Sequence, residues 1–263
     1  MADLLLSFPK WQWLATAAAF LLFAGLEGLL PFRDARGSRA RRWFTNLGLM
    51  AIGVAVAMLA SPLILGLAGW VQQATGFPGL VSLGLPPWLL VVVSFLLIDL
   101  IAYLQHAVFH LVPWLWRIHR VHHSDPVLDA STGVRHHPLE ALIGSFVQLT
   151  LFVVLGLPIL VILAYVLVTT VWQYFSHSNV RLPEAADRVI RLVLVTPGMH
   201  RVHHSVRMDE GNSNFGIVLS IWDRLFGTYR WRRLSEQSDM VLGIEGQGAR
   251  QGLLRLLTFR DRD

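Results

Sequence analysis

The run EALIGSFVQLTLFVVLGLPILVILAYVLVTTVWQYF, from Glu140 to Phe175, decides the fold. Its 36 residues carry one charged side chain, the glutamate that opens it. A single straight helix of that length would measure about 54 Å, whereas the hydrocarbon core of a bilayer is about 30 Å thick. Gly156-Leu157-Pro158 sits near the middle, a natural break in a helix. The run therefore reads as a tight helical hairpin that leaves one membrane face and returns to it. A single crossing would instead put His177 and His200 across the membrane from His106.

Working outward, the same alternation continues. A first span covers about Trp11 to Leu30, with Glu27 near its interfacial end. Arg33, Arg36, Arg39, Arg41 and Arg42 crowd the loop that follows, so this loop is expected in the cytoplasm and the N-terminus outside. A second span covers about Leu47 to Val71, with Pro62 expected to kink it. The loop from Gln72 to Pro87 has no Lys or Arg and suits the outer face. A third span starts at Trp88 and returns inward to His106. The first residues include Asp3 and lack the basic cluster of a cleaved signal, so a retained span is expected. Val189 to Val195 reads as a short interfacial piece, and the charged chain after Arg230 as peripheral.

Composition agrees. The 263 residues are 54% hydrophobic and 15% charged, with a mean hydropathy of +0.52. A soluble domain carries about a quarter charged residues, so lipid is the solvent here. The net charge of +5 comes from arginines in short loops beside apolar runs. That pattern orients a membrane protein and gives no reason to expect nucleic acid as a partner. There is no cysteine, which excludes disulfides, thiolate metal sites and cysteine nucleophiles together. Any metal must be held by histidine or carboxylate.

All eleven histidines lie between residues 106 and 204. His106 and His110 are spaced i, i+4, which puts both imidazoles on one helix face. Asp99 and Tyr103 fall on the same stripe, so Asp99 is placed to accept a proton from a ligand imidazole. The six residues His-Arg-Val-His-His-Ser then occur twice, at 119–124 and at 200–205. Positions i, i+3 and i+4 fan across about 100° of a helix, enough to surround or bridge metal ions. A solvated histidine-rich face would account for one such copy, but not for two identical copies beside the His106 and His110 pair. His137, in Arg135-His136-His137-Pro138, and His177, in Ser176-His177-Ser178-Asn179, have less local pattern. On spacing alone each is as readily an interfacial hydrogen bonder as a ligand. Neutral imidazoles suit iron, zinc and copper. One zinc takes three or four, so eight to ten ligands fit two ions. No Glu-x-x-His pair marks the later helices, which argues against a carboxylate-bridged di-iron bundle.

Taken together, these residues resemble the fatty acid hydroxylase and sterol desaturase superfamily of membrane di-iron enzymes. The resemblance runs from about Ser94 to Tyr229. It rests on Asp99 with His106 and His110, Trp116 before His119, His122 and His123, and Arg135-x-His137-Pro138-Leu139-Glu140. It continues through His177-Ser178-Asn179, His200 with His203 and His204, and Trp222-Asp223-Arg224-Leu225-Phe226-Gly227-Thr228.

What the resemblance implies is an all-α membrane bundle of about five crossings, hairpin included, under a cytoplasmic histidine-rich helical cap. Residues 1–90 would be anchor spans, 91–230 the catalytic domain and 231–263 a cytoplasmic tail. The implied ligands are His106, His110, His119, His122, His123, His137, His177, His200, His203 and His204, holding two iron ions. Asp99, Tyr103 and Asp223 are the candidates to support them from behind. O2 is the implied co-substrate, and a fatty-acyl, sterol-like or other membrane lipid the implied substrate. Hydroxylation and desaturation both remain open. With no histidine before residue 106 for a fused haem domain, an external cytochrome, ferredoxin or rubredoxin-like electron donor is implied. The plasma (inner) membrane is the expected location. A zinc-dependent lipid hydrolase is the alternative, weakened because neither histidine box contains a carboxylate to act as base. A metal transporter would need ligands at mid-membrane depth, but these histidines flank the spans.

Overall fold

The computed structural model describes residues 2–34, 38–246 and 252–259, with side chains described from Lys10 onward. Arg36 of the basic loop and the last residues of the expected tail lie outside them. The described chain is helical, with three isolated bridge pairs and no strand. Its long elements are α1 (Ala2–Leu29), α2 (Arg39–Thr75), α3 (Pro87–Leu111), α4 (Pro113–His123), α5 (Pro138–Val154) and α6 (Ile159–His177). Two short helices follow, α7 (Glu184–Ile190) and α8 (Pro197–His203).

Lys10–Leu29, α2, α3 and α6 are each long and apolar enough to cross a membrane. Only 17% to 22% of their most apolar stretches is buried inside the protein. Large side chains such as Leu59 and Leu63 of α2 are left exposed, which water would penalise and lipid tails do not. The chain is an integral membrane protein.

The hairpin forms as expected. Helix α5 stops at Val154, Gly156 takes a left-handed φ of 58°, and Pro158 caps the start of α6. The tip docks on the loop between α2 and α3. There Leu80 N–H donates to the Leu155 carbonyl at 2.8 Å, and a Cβ on Gly79 would stand 2.8 Å from the Cα of Gly156. Only two glycines let these backbones meet. The loop without Lys or Arg and the hairpin tip thus share one end of the bundle. The histidines lie at the other.

Helix α2 departs from expectation. Its 37 residues make about 55 Å, because it begins at Arg39 and not near Leu47. The extra turns project into the histidine-bearing cap and are held by partners distant in sequence. Arg42 pairs with Asp125 and Asp129, and Asn46 donates to Ser131 Oγ at 2.8 Å. Arg135 reaches the Asn46 side chain at 2.8 Å, the Val121 carbonyl at 2.8 Å and Ser124 Oγ at 2.9 Å. Pro62 leaves α2 unbroken. The Met58 carbonyl, which a proline cannot serve, instead accepts from Ser61 Oγ at 2.9 Å.

Glu27, read from sequence as a tolerated interfacial charge, is a buried fastener. Its carboxylate accepts from the Ala130 and Asn179 amides and from Arg39. Nor are the described residues after Arg230 all peripheral. Met240 and Leu242 pack with Leu128 and Val202, while Leu256 packs with Leu49 and Val121. Val189, Leu192 and Val193 are exposed, as an interfacial piece would be.

Candidate metal centre

Helices α3, α4, α6 and α8 converge at the cap end of the bundle. Nine of the ten expected ligands come together there in two adjoining groups. His106, His110, His119, His123 and His203 form the first, and His122, His177, His200 and His204 the second. All nine are buried. The two copies of the six-residue repeat are dealt differently. Helix α4 gives two imidazoles to the first group and one to the second; α8 with His204, the residue that ends it, gives one to the first and two to the second. His123 and His204 stack with ring centres 4.4 Å apart where the groups adjoin.

In the first group the outer ring nitrogens are pinned. His106 Nδ1 lies 2.8 Å from the Phe215 carbonyl, and His203 Nδ1 lies 2.7 Å from the Ser213 carbonyl. His119 Nδ1 lies 2.7 Å from Glu140 Oε1, and His110 Nδ1 lies 3.3 Å from Asn212 Oδ1. Each partner is an acceptor, so each Nδ1 carries the proton and each Nε2 presents a lone pair. Nε2 of His110, His119, His123 and His203 is buried without a protein partner. In the second group His177 Nδ1 donates to the Gln173 carbonyl at 2.8 Å. His177 Nε2 then faces His200 Nε2 at 2.8 Å and His122 Nε2 at 3.1 Å, and His204 Nε2 lies 3.2 Å from that of His200. His177 Nε2 has one lone pair for its two neighbours, so a hydrogen bond serves only one of them, whereas a cation among the four nitrogens serves all. Around an ion bound at about 2.1 Å, neighbouring nitrogens stand about 3.0 to 3.4 Å apart. The donor set fits metal.

Burial, reinforced by the neighbouring imidazoles, holds His122, His123, His200, His203 and His204 well below the usual histidine range. They are neutral at physiological pH, as ligands must be.

The tenth expected ligand lies elsewhere. His137 turns back over its own helix. Its Nδ1 accepts from Leu139 N–H at 3.1 Å, capping α5, its Nε2 lies 3.4 Å from the Leu257 carbonyl, and its ring stacks on Phe259. Extended geometry before Pro138 sends the neighbouring side chains in different directions. It is His136 that faces the site, stacked on His122 with ring centres 4.6 Å apart. Both its nitrogens meet acceptors, Glu140 Oε1 at 2.9 Å and the Gly133 carbonyl at 3.3 Å. Although burial opposes the charge, Glu140 raises the His136 pKa above its usual value. Glu140, which spacing left without a role, thus joins His119 and His136; its position four residues after His136 was the available signal. His137→Ala is expected to keep the full metal content and lose about 1 kcal/mol of stability with its cap. His136→Ala should keep the metal but depress turnover. Metal analysis and denaturation of the two variants check this, and metal loss from His137→Ala would reverse it.

The three supporting candidates also resolve. Asp99 meets no imidazole. It lies two turns deeper than His106 and accepts from Tyr165 Oη, Trp222 Nε1 and Leu219 N–H, tying α3 to α6 and to the 219–222 segment. The helical stripe gave its angle but not its depth. Tyr103 Oη bonds Thr228 Oγ1 at 2.8 Å, and its ring stacks on Phe226. Asp223 acts at one remove. It accepts the amides of Phe215 and Gly216, and the Phe215 carbonyl holds His106. Burial pushes its pKa up to about 6 despite those bonds.

The comparisons agree with this geometry. No solved structure matches the chain. An ornithine lipid hydroxylase of Rhizobium tropici is 33% identical over 63% of this chain and 49% of its own length. The human alkylglycerol monooxygenase is 29% identical over 57% of this chain and 32% of its own. The human cholesterol 25-hydroxylase is 29% identical over 51% of this chain and 49% of its own. The chain thus spans half or less of the length of these relatives. The fatty acid hydroxylase family model matches residues 91–228, just over half the chain and the whole of the histidine centre. This chain belongs to the fatty acid hydroxylase family.

Proposed function

We propose that the chain is an O2-dependent lipid monooxygenase whose nine converging imidazoles hold two iron ions. The observation that carries this reading is the pair of buried nitrogen groups opening on one cavity between α3, α5 and α6. Iron held there would supply O2 activation and cleavage of an unactivated C–H bond, giving a hydroxylated or desaturated lipid. The protein's own part is to orient and exclude. The Phe215 and Ser213 carbonyls, Asn212 and Glu140 fix four rings of the first group with Nε2 inward, and Gln173 fixes His177. Burial of the rings keeps bulk water from the reacting region. His136, with acceptors at both nitrogens, holds a proton on Nδ1 beside the cavity and shares Glu140 with His119. Electrons would come from a separate cytochrome, ferredoxin or rubredoxin-like protein. The arginines between Arg33 and Arg42 favour a cytoplasmic active face, and the plasma membrane is the proposed location.

The relatives named above are hydroxylases and monooxygenases, which lends nothing to the zinc hydrolase alternative. The test is mass spectrometry of whole-membrane lipids with and without the protein, supplied with iron, reductant and O2. A lipid that gains one oxygen atom, or loses two hydrogens, is expected. Turnover with zinc in the absence of O2 would overturn the reading. A single cysteine introduced at Ser82, exposed in the loop that meets the hairpin tip, should label from outside and one at Arg207 only from inside; outside labelling of position 207 would refute the orientation.

A further inference from the structure

The histidine centre has two sides. His106, His119, His122, His177 and His200 line the cavity of about 360 Å³ between α3, α5 and α6. His110, His123, His203 and His204 lie outside its lining. Behind two of these stands Trp116, its ring centre 4.9 Å from that of His110 and 5.2 Å from that of His123. Trp116 is partly exposed. Asn212, whose Oδ1 holds His110 Nδ1, is exposed as well. On this side a single ring separates two imidazoles of the first group from the protein surface, and that ring takes no part in the cavity.

The surface here is basic. Helix α4 carries Arg117 and Arg120 and no acidic residue, and Arg117 is exposed. Three residues before Asn212, Asp209 is shared by Arg207 and Arg230, all three exposed. That pairing also leaves positive charge in excess.

We infer that electrons reach the centre through Trp116, delivered by an acidic one-electron carrier protein that docks on the basic face of α4. This rests on the lipid oxygenase reading above. Electron tunnelling weakens steeply with distance, so a carrier reduces a buried centre from the face where a ligand lies nearest the surface. A protein cannot enter the cavity, and the lipid takes that side. Hydroxylation puts one atom of O2 into the lipid and releases the other as water, which takes two electrons and two protons beyond the C–H bond itself. Two reduced carriers each give up one electron across Trp116 and leave oxidised, while the protons come from solvent. No bond to Trp116 forms or breaks. The electrons cross His110 and His123 to the iron of the first group. The stack of His123 on His204, with ring centres 4.4 Å apart, links that position to the second. Arg117 acts on the encounter, as a surface charge that steers the carrier and is screened by salt.

The test is anaerobic stopped-flow reduction of the full-length protein, loaded with ferric iron in neutral detergent, without lipid. The probe is reduced plant-type ferredoxin, an acidic one-electron carrier, whose oxidation is followed by absorbance. Its second-order rate constant should fall with added salt, and Arg117→Glu should lower it about tenfold. Trp116→Leu should lose most of the rate and Trp116→Phe keep most of it, with iron content and helicity unchanged in both. Dithionite, a small reductant that needs no docking face, should reduce all these proteins to the same extent. Reduction of Trp116→Leu by ferredoxin at the wild-type rate would overturn the route. An unchanged rate in Arg117→Glu would overturn the docking face and leave that arginine to lipid headgroups. A wild-type centre that dithionite reduces and ferredoxin does not would overturn both. If Trp116→Leu does not fold, the salt dependence and Arg117→Glu decide. Reduction is measured without O2, so failure to form any oxidised lipid would count against the oxygenase reading alone.

Discussion

Replacing His177 with alanine is expected to cut bound iron from about two ions per chain to about one and to lower lipid turnover at least about a thousandfold. The second group has only four nitrogens, and His177 is central among them, with its Nε2 within 3.1 Å of both His122 and His200. It is also the ring of that group whose orientation is set from behind, through the Gln173 carbonyl. By contrast, Nδ1 of His122, His200 and His204 is buried without a protein acceptor. The first group has five nitrogens, four of them backed by acceptors, and should keep its ion. Metal analysis of anaerobically purified protein, read beside lipid turnover, decides the matter. Retention of two ions by His177→Ala would remove His177 from the site.

The second large effect lies away from the imidazoles. Asp125→Ala is expected to destabilise the protein by about 3–5 kcal/mol. Its carboxylate stands between two guanidiniums, the partly buried Arg42 and the buried Arg135, and also accepts from Thr132 Oγ1 and Asn46 Nδ2. Although burial opposes its charge, the two arginines hold the Asp125 pKa below the usual carboxylate range. Without it two like charges share a buried space and one acidic neighbour fewer. Asp125 follows directly on the first histidine repeat, so the loosened loop should carry His122 and His123 with it. Denaturation in detergent measures the loss, and a change under about 1 kcal/mol would show that Asp129 suffices.

Much of this was legible in the sequence because it depends on local pattern. The hairpin followed from a glycine and a proline placed midway along a run too long for one crossing. Eight of the nine converging histidines followed from spacings of three and four, which fix a helix face whatever packs on it; His177 has no such spacing and was implied only by the family resemblance. What spacing cannot give is depth or partner. Asp99 shares the angle of His106 but sits where Tyr165 and Trp222 reach it. The first turns of α2 look like a polar loop until Asp125, Asp129 and Arg135, some ninety residues away, arrive to satisfy them. His136 and His137 differ only in direction, which the extended backbone before Pro138 sets and composition does not. The glutamines at 105, 148 and 173 were readable as amides out of place in apolar helices, but only the structure brings all three to one cavity.

Helix α5 has 17 residues, about 25 Å, and is shorter than the spanning helices beside it, α2, α3 and α6. A bilayer core about 30 Å thick is too deep for it. Hydrophobic mismatch of this kind is relieved by thinning the adjacent lipid, at fractions of a kcal/mol per ångström. The dimple would form along the wall that carries Gln148, drawing lipid headgroups inward on that side. The protein then meets its lipids already lowered toward the cavity, and membranes of short-chain lipids should suit it better than thick, sterol-rich ones.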